Sequence, residues 1–520
     1  MKIVIPMSGI GKRFVEAGYK DPKPLIDVDG QPMIYHVIDL FPGETDFHFI
    51  CNEDHLENTN MRNILLKKVP NAHIHSVPVN DRKGPVDAVM RIKDEIDDTD
   101  EVIVSYCDYG TVWNYFKFLN EMRSHLADGG IASYIGFHPH MLGSDNYAFM
   151  RNSDLWMTDI QEKKSFTNNK MSEYASNGTY YFRSGAIMKI YFQKLIDANL
   201  HLNGEFYVSM VYKIMVNESL RVRIFEIEKM LQWGTPTDLE EYKTWSTLFK
   251  NIKERPLTFK RIEPYTLVLP MAGAGNRFRI QGFDTPKPLL PINNTPMVIK
   301  AIESLPPAQK NIVICLGEHI KEYPIKSTLI SCIPNIEICT IQAVTEGQAC
   351  TCEIGIKEYN VSDDTPLLIS ACDNGAYYDT DAFISMLDDP IVDVIVWSFT
   401  NNRTSQLYPH MYAWLDVDEE GYIHDVSIKK PFETKPNKHC IIGTMYFRRT
   451  SLFNEGLQSI YNTNSRTNGE FYVDNLLVPL IQKGYKVKVF EVTNYLCWGT
   501  PNDYNTYMYW DSYFNSPSRK

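Results

Sequence analysis

The chain has 520 residues, of which 44% are hydrophobic and 22% charged, and its formal net charge is −12. This is ordinary globular composition and excludes a mostly disordered polymer; the acidity argues against a dedicated nucleic-acid or anionic-membrane binder, since both need a basic face. At roughly 100–200 residues per domain, the length predicts two to four domains, each with its own core.

Met1 is followed at once by the strand-like Lys2-Ile3-Val4-Ile5-Pro6, which does not read as a secretory leader. No apolar run reaches the roughly 18–20 residues needed to span a bilayer. Of the ten cysteines, two lie in the first half and eight from Cys315 onward, and the closest pair, Cys350 and Cys352, lacks a zinc-ribbon spacing. The expectation is a cytoplasmic protein with reduced thiols and no membrane insertion.

The first strand runs into a glycine loop, Gly9-x-Gly11-x-Arg13. Glycines let backbone N–H groups approach phosphate oxygens without a Cβ in the way. The dinucleotide fingerprint fails because Phe14 stands where a third glycine is needed, and the Walker pattern fails because Arg13 follows Lys12. Ten residues beyond the arginine comes Pro22-Lys23-Pro24-Leu25, a rigid turn that fixes where one ammonium points. Two separately anchored cations around a glycine loop suit a triphosphate.

Further along, residues 33–41 read as a helix and 47–51 as a strand. Residues 85–96 have helical spacing, 101–105 form a strand, and 113–126 again have helical spacing. Asp108 follows the fourth of these segments, where a carboxylate beyond a strand end can hold a hard cation such as Mg²⁺. Strands separated by helices imply βαβ crossovers and a mainly parallel sheet covered on both faces, with ligands beyond the carboxyl ends of the strands.

The chain then repeats itself. Residues 6–34 and 270–298 share 13 identical positions out of 29, including Gly273-x-Gly275-x-Arg277 and Pro286-Lys287-Pro288-Leu289. Ser105-Tyr106-Cys107-Asp108-Tyr109-Gly110 matches Ser370-Ala371-Cys372-Asp373-Asn374-Gly375. Asn203-Gly204-Glu205-Phe206-Tyr207-Val208 matches Asn468-Gly469-Glu470-Phe471-Tyr472-Val473, and Trp233-Gly234-Thr235-Pro236 matches Trp498-Gly499-Thr500-Pro501. The offset is 264 at the arginines and 265 at the last motif, so the chain holds two copies of one domain. We expect domains at 1–245 and 264–520, joined by a charged linker at 246–263.

Both copies carry the Gly-x-Gly-x-Arg loop and the Pro-Lys-Pro-Leu turn, and in these motifs the chain resembles the sugar-phosphate nucleotidyltransferases, also called nucleotide-sugar pyrophosphorylases. It looks closest to members encoded in bacterial capsule and surface-polysaccharide loci. The resemblance implies an α/β fold, two tandem Rossmann-like (GT-A-like) domains with mainly parallel mixed sheets. It also implies transfer of a nucleotidyl group from a nucleoside triphosphate to a phosphorylated sugar or small alcohol, with Mg²⁺ as cofactor and pyrophosphate released. By resemblance, Arg13 and Arg277 bind the triphosphate and stabilise charge at the reacting phosphorus. Lys23 and Lys287 orient the acceptor or the nucleotide phosphates, and Asp108 and Asp373 hold magnesium. Gly84 and Gly347 fall in the base-selecting segment, and Gly9, Gly11, Gly273 and Gly275 in the nucleotide loop.

The family's acceptor-phosphate lysine corresponds to Lys164 and Lys430. The glutamate that should precede it is Lys163 in one copy and Lys429 in the other. A second metal aspartate before the late Gly-Thr is also missing, since Gln232 and Cys497 precede Trp233 and Trp498. Glu205 and Glu470 compensate for that aspartate or bind acceptor hydroxyls, while Asp238 and Asp503 are weaker candidates that also suit helix caps. Two other readings stand beside this one. A glycosyltransferase of similar fold is disfavoured by the absence of Asp-x-Asp at Asp108-Tyr109-Gly110, and a pair of nucleotide-sensing domains would bind without turnover.

Overall fold

Ile3, Val4 and Ile5 are all fully buried, and their side chains divide between two cores: Ile3 and Ile5 pack with Phe47 and Phe49 on one face, Val4 with Ile50, Val86 and Val104 on the other. A run of β-branched residues buried on both sides is what a central parallel strand requires. The computed structural model describes residues 1–78, 82–273, 275–400, 402–435 and 438–516. The chain divides into two compact units, Met1–Ser246 and Thr247–Lys520.

The first unit contains strands β1 (Lys2–Met7), β2 (Asp46–Asn52), β3 (His73–Val77), β4 (Val102–Ser105), β5 (Tyr109–Val112), β6 (Gly129–Tyr134), β7 (Ala148–Ser153), β8 (Trp156–Glu162), β9 (Tyr174–Phe182), β10 (Val222–Glu226) and β11 (Lys229–Gln232). Nine of them form one mixed sheet in the order β3-β2-β1-β4-β9-β6-β10-β8-β7, and β5 pairs with β11 alone. β1, β2, β3 and β4 are mutually parallel where they pair, as are β6 and β10. β9 runs antiparallel to β4 and β6. The parallel segment therefore points all its carboxyl ends toward the glycine loop.

The second unit repeats the plan with β12 (Glu263–Met271), β13 (Ala308–Leu316), β14 (Ile336–Ile341), β15 (Leu367–Ile369), β16 (Asn374–Tyr377), β17 (Val394–Phe399), β18 (Ala413–Val417), β19 (Ile423–Ile428), β20 (His439–Phe447), β21 (Val487–Glu491) and β22 (Asn494–Cys497). Its sheet runs β14-β13-β12-β15-β20-β17-β21, with β18 joining β20 to β19, and β16 pairs with β22. Val268 lies in one core and Leu267 and Leu269 on the opposite face, the same alternation as in β1.

Several elements differ in detail from the sequence reading. The helix expected over 33–41 stops at Ile38, and the stretch 85–96 is a helix only over Pro85–Met90, followed by a single 3₁₀ turn at Lys93–Glu95. In the expected helix at 113–126, Asn114 caps the start, its side chain accepting the amide of Lys117, and the helix spans Tyr115–Ser124. β4 ends at Ser105 and β15 at Ile369, so Asp108 and Asp373 sit in the loops beyond the strands. The stretch expected as a linker is helical as far as Glu254, within a helix that begins at Pro236, and lacks regular structure from 255 to 262.

Candidate active site

The loop after β1 turns at Gly11, whose φ of 65° is left-handed backbone suited to glycine; Gly275 repeats it at 64°. A five-residue helix follows in each copy, Lys12–Glu16 and Asn276–Ile280, with one buried side chain apiece, Phe14 and Phe278. Nothing lies within 4 Å of a Cβ built on Gly9 or Gly273, so the outer edge of each loop faces open space. The loop is tied down by Arg82, whose guanidinium donates to the Ser8 carbonyl at 3.1 Å, and by the Asn52 side chain, which donates to the same oxygen at 3.3 Å.

The Pro-Lys-Pro turn forms one 3₁₀ turn with the lysine as its first residue. Lys23 Nζ lies 2.5 Å from Asp108 Oδ2 and donates to the Gly234 carbonyl at 2.9 Å. In the second unit Lys287 Nζ lies 2.5 Å from Asp373 Oδ2. Burial works to lower the Lys287 pKa, but the Asp373 carboxylate, with Cys372 and Cys497 nearby, raises it, and the ammonium is held above its ordinary value.

The loop bearing each aspartate is locked against the Trp-Gly-Thr-Pro motif. Trp233 donates its amide to the Asp108 carbonyl at 3.2 Å, and Trp498 to that of Asp373 at 2.9 Å. A Cβ on Gly110 would come within 2.8 Å of the Trp233 ring, and one on Gly375 within 3.0 Å of Trp498. This close approach explains the glycine two residues after each aspartate. Asp238 and Asp503 lie in the first turns of helices, bound to the threonines that start them: Thr235 and Thr500 donate to them at 2.7 and 2.6 Å and accept their amides at 3.2 Å.

In the first unit Gly9, Gly11, Arg13, Lys23, Gly84, Asp108 and Glu205 converge on one cavity of about 490 Å³. In the second, Gly273, Gly275, Arg277, Lys287, Gly347, Asp373 and Glu470 line one of about 920 Å³. No side-chain hydrogen bond or ion pair engages Arg13 or Arg277 among the described residues, while Arg13 acts electrostatically on Tyr207, and Arg277 on Tyr472. Each cavity thus presents a guanidinium that no carboxylate among the described residues pairs with.

Gly84 and Gly347 line these cavities but are bound to their positions by backbone packing. A Cβ on Gly347 would meet the Phe471 carbonyl oxygen at 2.4 Å, and one on Gly84 the Phe206 amide nitrogen at 2.7 Å, and both glycines have positive φ, 143° and 94°. They seat the segments at the starts of their helices against the Asn-Gly-Glu-Phe-Tyr motif, whose Phe206 and Phe471 amides donate to the Lys83 and Glu346 carbonyls. The two cavity linings differ in charge: the first carries Arg82, whereas Glu318, His319 and Glu322, from the helix Gly317–Glu322, line the second.

Lys164 and Lys430 are not brought into the cavities. Both are exposed, and Lys430 pairs with Glu433 at 2.7 Å. Of the preceding lysines, Lys163 lines the first cavity and Lys429 packs beside Tyr472, which lines the second; both take left-handed φ values, 53° and 61°, rare for residues with a Cβ. Their amides are anchored on the Tyr147 and Tyr412 carbonyls at 2.9 and 3.0 Å. Lys163 Nζ donates to the Tyr207 hydroxyl at 2.6 Å, and that hydroxyl donates to Glu205. Lys429 Nζ lies over the Tyr472 ring at 5.9 Å and donates to the Met411 carbonyl at 2.5 Å. Burial lowers the Lys429 pKa, with Asp474 opposing and Arg277 assisting.

Each inward lysine has a carboxyl neighbour that the sequence reading missed. In the first unit this is Glu162, at the end of β8, which accepts the Ser209 hydroxyl at 2.5 Å and whose pKa burial raises while Lys163 lowers it. In the second unit the equivalent strand position is Ile428, and the carboxyl moves to Asp474 at the place of Ser209. Burial pushes Asp474 up to about 6, with Lys429 opposing. The only sequence signal was the reciprocal exchange of Glu for Ile and Ser for Asp, which becomes visible once register is known.

Residues 2–218 match the family described as Nucleotidyl transferase. No curated protein matches the chain. Among solved structures it is similar to a nucleoside-diphosphate-sugar pyrophosphorylase from Vibrio cholerae RC9 (19% identity over 46% of this chain and 98% of that one, TM-score 0.38). It is also similar to a UDP-glucose pyrophosphorylase from Acinetobacter baumanii (17%, 49% and 94%, TM-score 0.37) and to an inositol-1-phosphate CTP transferase from T. maritima (13%, 49% and 98%, TM-score 0.35). No helix of the described residues is long and apolar enough to cross a membrane. The glycine loop, the Pro-Lys-Pro turn and Asp108, which line one cavity of the first unit, all fall within the residues, 2–218, that match the Nucleotidyl transferase family.

Proposed function

We propose that each unit transfers a nucleoside monophosphate from a nucleoside triphosphate to a phosphorylated sugar or small alcohol. An oxygen of the acceptor phosphate attacks the α-phosphorus, the bond from that phosphorus to the α–β bridging oxygen breaks, and pyrophosphate leaves. The observation that carries this reading is the recurrence, in two cavities of one chain, of an unneutralised arginine beside a glycine loop and a lysine locked on an aspartate. Fixed positive charge aimed at developing negative charge accelerates such a transfer without covalent chemistry by the protein.

Arg13 and Arg277 are assigned to the triphosphate, and Gly9, Gly11, Gly273 and Gly275 give its oxygens access to backbone amides. Lys163 and Lys429 are assigned to the acceptor phosphate, with Glu205 and Glu470 held beside it by Tyr207 and Tyr472. Asp108 and Asp373 fit a magnesium ion: each already accepts a cationic Nζ on one oxygen, and magnesium is commonly held by one carboxylate with phosphates and water completing its shell. When bound, magnesium neutralises phosphate charge. Gln232 and Cys497 supply no second carboxylate.

We place the reaction in the cytoplasm, where nucleoside triphosphates are available, and assign its product to surface-polysaccharide precursor synthesis. The test is incubation of the chain with each nucleoside triphosphate, Mg²⁺ and a panel of phosphorylated sugars and alcohols. Pyrophosphate and a nucleoside-diphosphate-linked product are expected together. Release of nucleoside diphosphate from a nucleotide sugar instead would favour glycosyl transfer.

A further inference from the structure

On edge strand β3 of the first unit and its neighbour β2, two imidazoles face each other. His48 on β2 and His75 on the edge strand β3 have parallel rings, 1° apart in plane, and His48 Nδ1 lies 3.2 Å from His75 Nε2. Carboxylates sit at the outer nitrogen of each ring. His48 Nε2 lies 3.1 Å from Asp46 Oδ1, and Asp46 is itself held by Lys2 Nζ at 3.0 Å. His75 Nδ1 lies 3.4 Å from Glu95 Oε1, and Glu95 Oε2 lies 3.8 Å from His48 Nδ1.

This order of partners fixes the chemistry. A carboxylate accepting from the outer nitrogen of an imidazole places the proton there, leaving the inner nitrogen as a lone-pair donor. Asp46 does this for His48, whose Nδ1 meets His75 Nε2 in a hydrogen bond; an ion that displaces the proton between these two nitrogens binds both, with a Glu95 oxygen at its edge. Two nitrogens bound to one tetrahedral zinc at the usual bond length stand about 3.3 Å apart, close to the 3.2 Å found. The His48 side chain is 1% exposed, His75 16% and Glu95 48%, so the donors sit at a partly open mouth where water can complete the shell.

The fold does not need these groups. In the second unit, the register that pairs His48 with His73 and Ile50 with His75 pairs Ile312 with Glu337 and Ile314 with Cys339. There Ile312 takes the place of His48 and Cys339 that of His75, and Cys339 simply donates to Glu358 at 2.9 Å. One copy builds the same edge from an apolar side chain and a thiol; the other places a nitrogen–nitrogen–oxygen donor set there.

We propose that His48 Nδ1, His75 Nε2 and Glu95 form a binding site for a divalent transition ion of the zinc class. Asp46 serves as the carboxylate that orients His48. The ion ties edge strand β3 and the 3₁₀ turn at Lys93–Glu95 to β2, and none of its three donors lines the glycine-loop cavity. His73 stacks on His48 with centroids 4.5 Å apart and planes 8° apart; a ring lying over another does not direct its lone pair at the same ion, so His73 is left out of the donor set.

The test uses the full chain, freed of metal by a chelator and titrated with Co²⁺, then with Zn²⁺. Cobalt held by nitrogen and oxygen in four- or five-fold coordination absorbs strongly in the visible range, whereas six-coordinate oxygen-bound cobalt does not. We expect one equivalent with the strong band, displaced by Zn²⁺, and a higher melting temperature with Zn²⁺ present. Glu95→Gln and His75→Gln each weaken binding by at least about tenfold, since even second-sphere changes cost that much. Because Glu95 is on the surface, its variant decides the matter even if His75→Gln folds poorly. The band persists in the Asp108→Asn, Asp373→Asn double variant. The proposal is overturned if no strong band forms, if the band disappears in that double variant, or if His73→Ala abolishes it while His75→Gln and Glu95→Gln leave it unchanged.

Discussion

Lys287 Nζ and Asp373 Oδ2 stand 2.5 Å apart in the second unit, and Lys23 and Asp108 stand at the same 2.5 Å in the first. Lysine and aspartate come from distant parts of the sequence, and in both copies the meeting is enforced by a proline on each side of the lysine and a tryptophan amide on the aspartate carbonyl. In this arrangement the lysine positions the aspartate before substrate arrives. Removing the ammonium leaves a partly buried carboxylate without its ion-pair partner. Lys23→Met and Lys287→Met are each expected to lose most of the turnover of their own unit while the rest of the cavity stays folded. Single-turnover assays on the two variants check this, and unchanged rates in both would show that the pair is structural only.

Lysine position separates two readings of the acceptor pocket. Lys163→Ala and Lys429→Ala are expected to raise KM for the phosphorylated acceptor roughly ten- to a hundredfold, the range for a lost hydrogen bond to a charged group. Lys164→Ala and Lys430→Ala are expected to leave KM within about twofold, since exposed pairs contribute little. The reverse pattern would place the acceptor phosphate outside the cavity.

This choice also shows where the sequence stopped being legible. Repetition with a nearly constant offset made the two-domain α/β plan readable, and Gly11, Arg13, Lys23 and Asp108 were legible because each recurs in a short motif whose spacing alone sets its geometry. Lys163 was not, because two adjacent lysines are equivalent on paper. Only the left-handed turn decides which faces inward, and nothing local marks that turn. Glu162 and Asp474 were hidden for a similar reason: the carboxyl changes element between copies, so no repeated residue identifies it. Gly84 and Gly347 were expected to belong to nucleotide binding, whereas the structure shows that their immediate requirement is contact with a backbone far along the chain.

That contact gives a stability prediction. Gly347→Ala places a Cβ 2.4 Å from the Phe471 carbonyl oxygen at a φ of 143°. Overpacking against backbone together with strained dihedrals predicts a loss of at least about 2 kcal/mol. Gly273→Ala, with nothing within 4 Å of its Cβ, is expected to leave stability nearly unchanged. Chemical denaturation of both variants checks the contrast, and equal stability of the two would contradict it.

Asp474 gives a pH prediction. Its carboxyl is raised by burial to about 6, against about 3.9 for an unfolded aspartate. An acid whose folded value is raised contributes stability that is complete below the unfolded value and is lost as pH rises through the folded one. The melting temperature of the wild type relative to Asp474→Asn is therefore expected to fall as pH rises from about 4 to 6 and to level off above. A difference that stays flat across this interval would mean that Asp474 is not held in its raised state.

The central claim is that both cavities grip a polyphosphate through the unneutralised arginine beside the glycine loop. Pyrophosphate release under a saturating nucleoside triphosphate and acceptor, compared among the wild type, Arg13→Ala, Arg277→Ala and the double variant, tests it most directly. Each single change is expected to abolish the turnover of its own unit, by about 10²–10³-fold as for loss of one charge-stabilising donor, and the double variant to retain none above that level. Pyrophosphate released by the double variant at the wild-type rate would contradict the account.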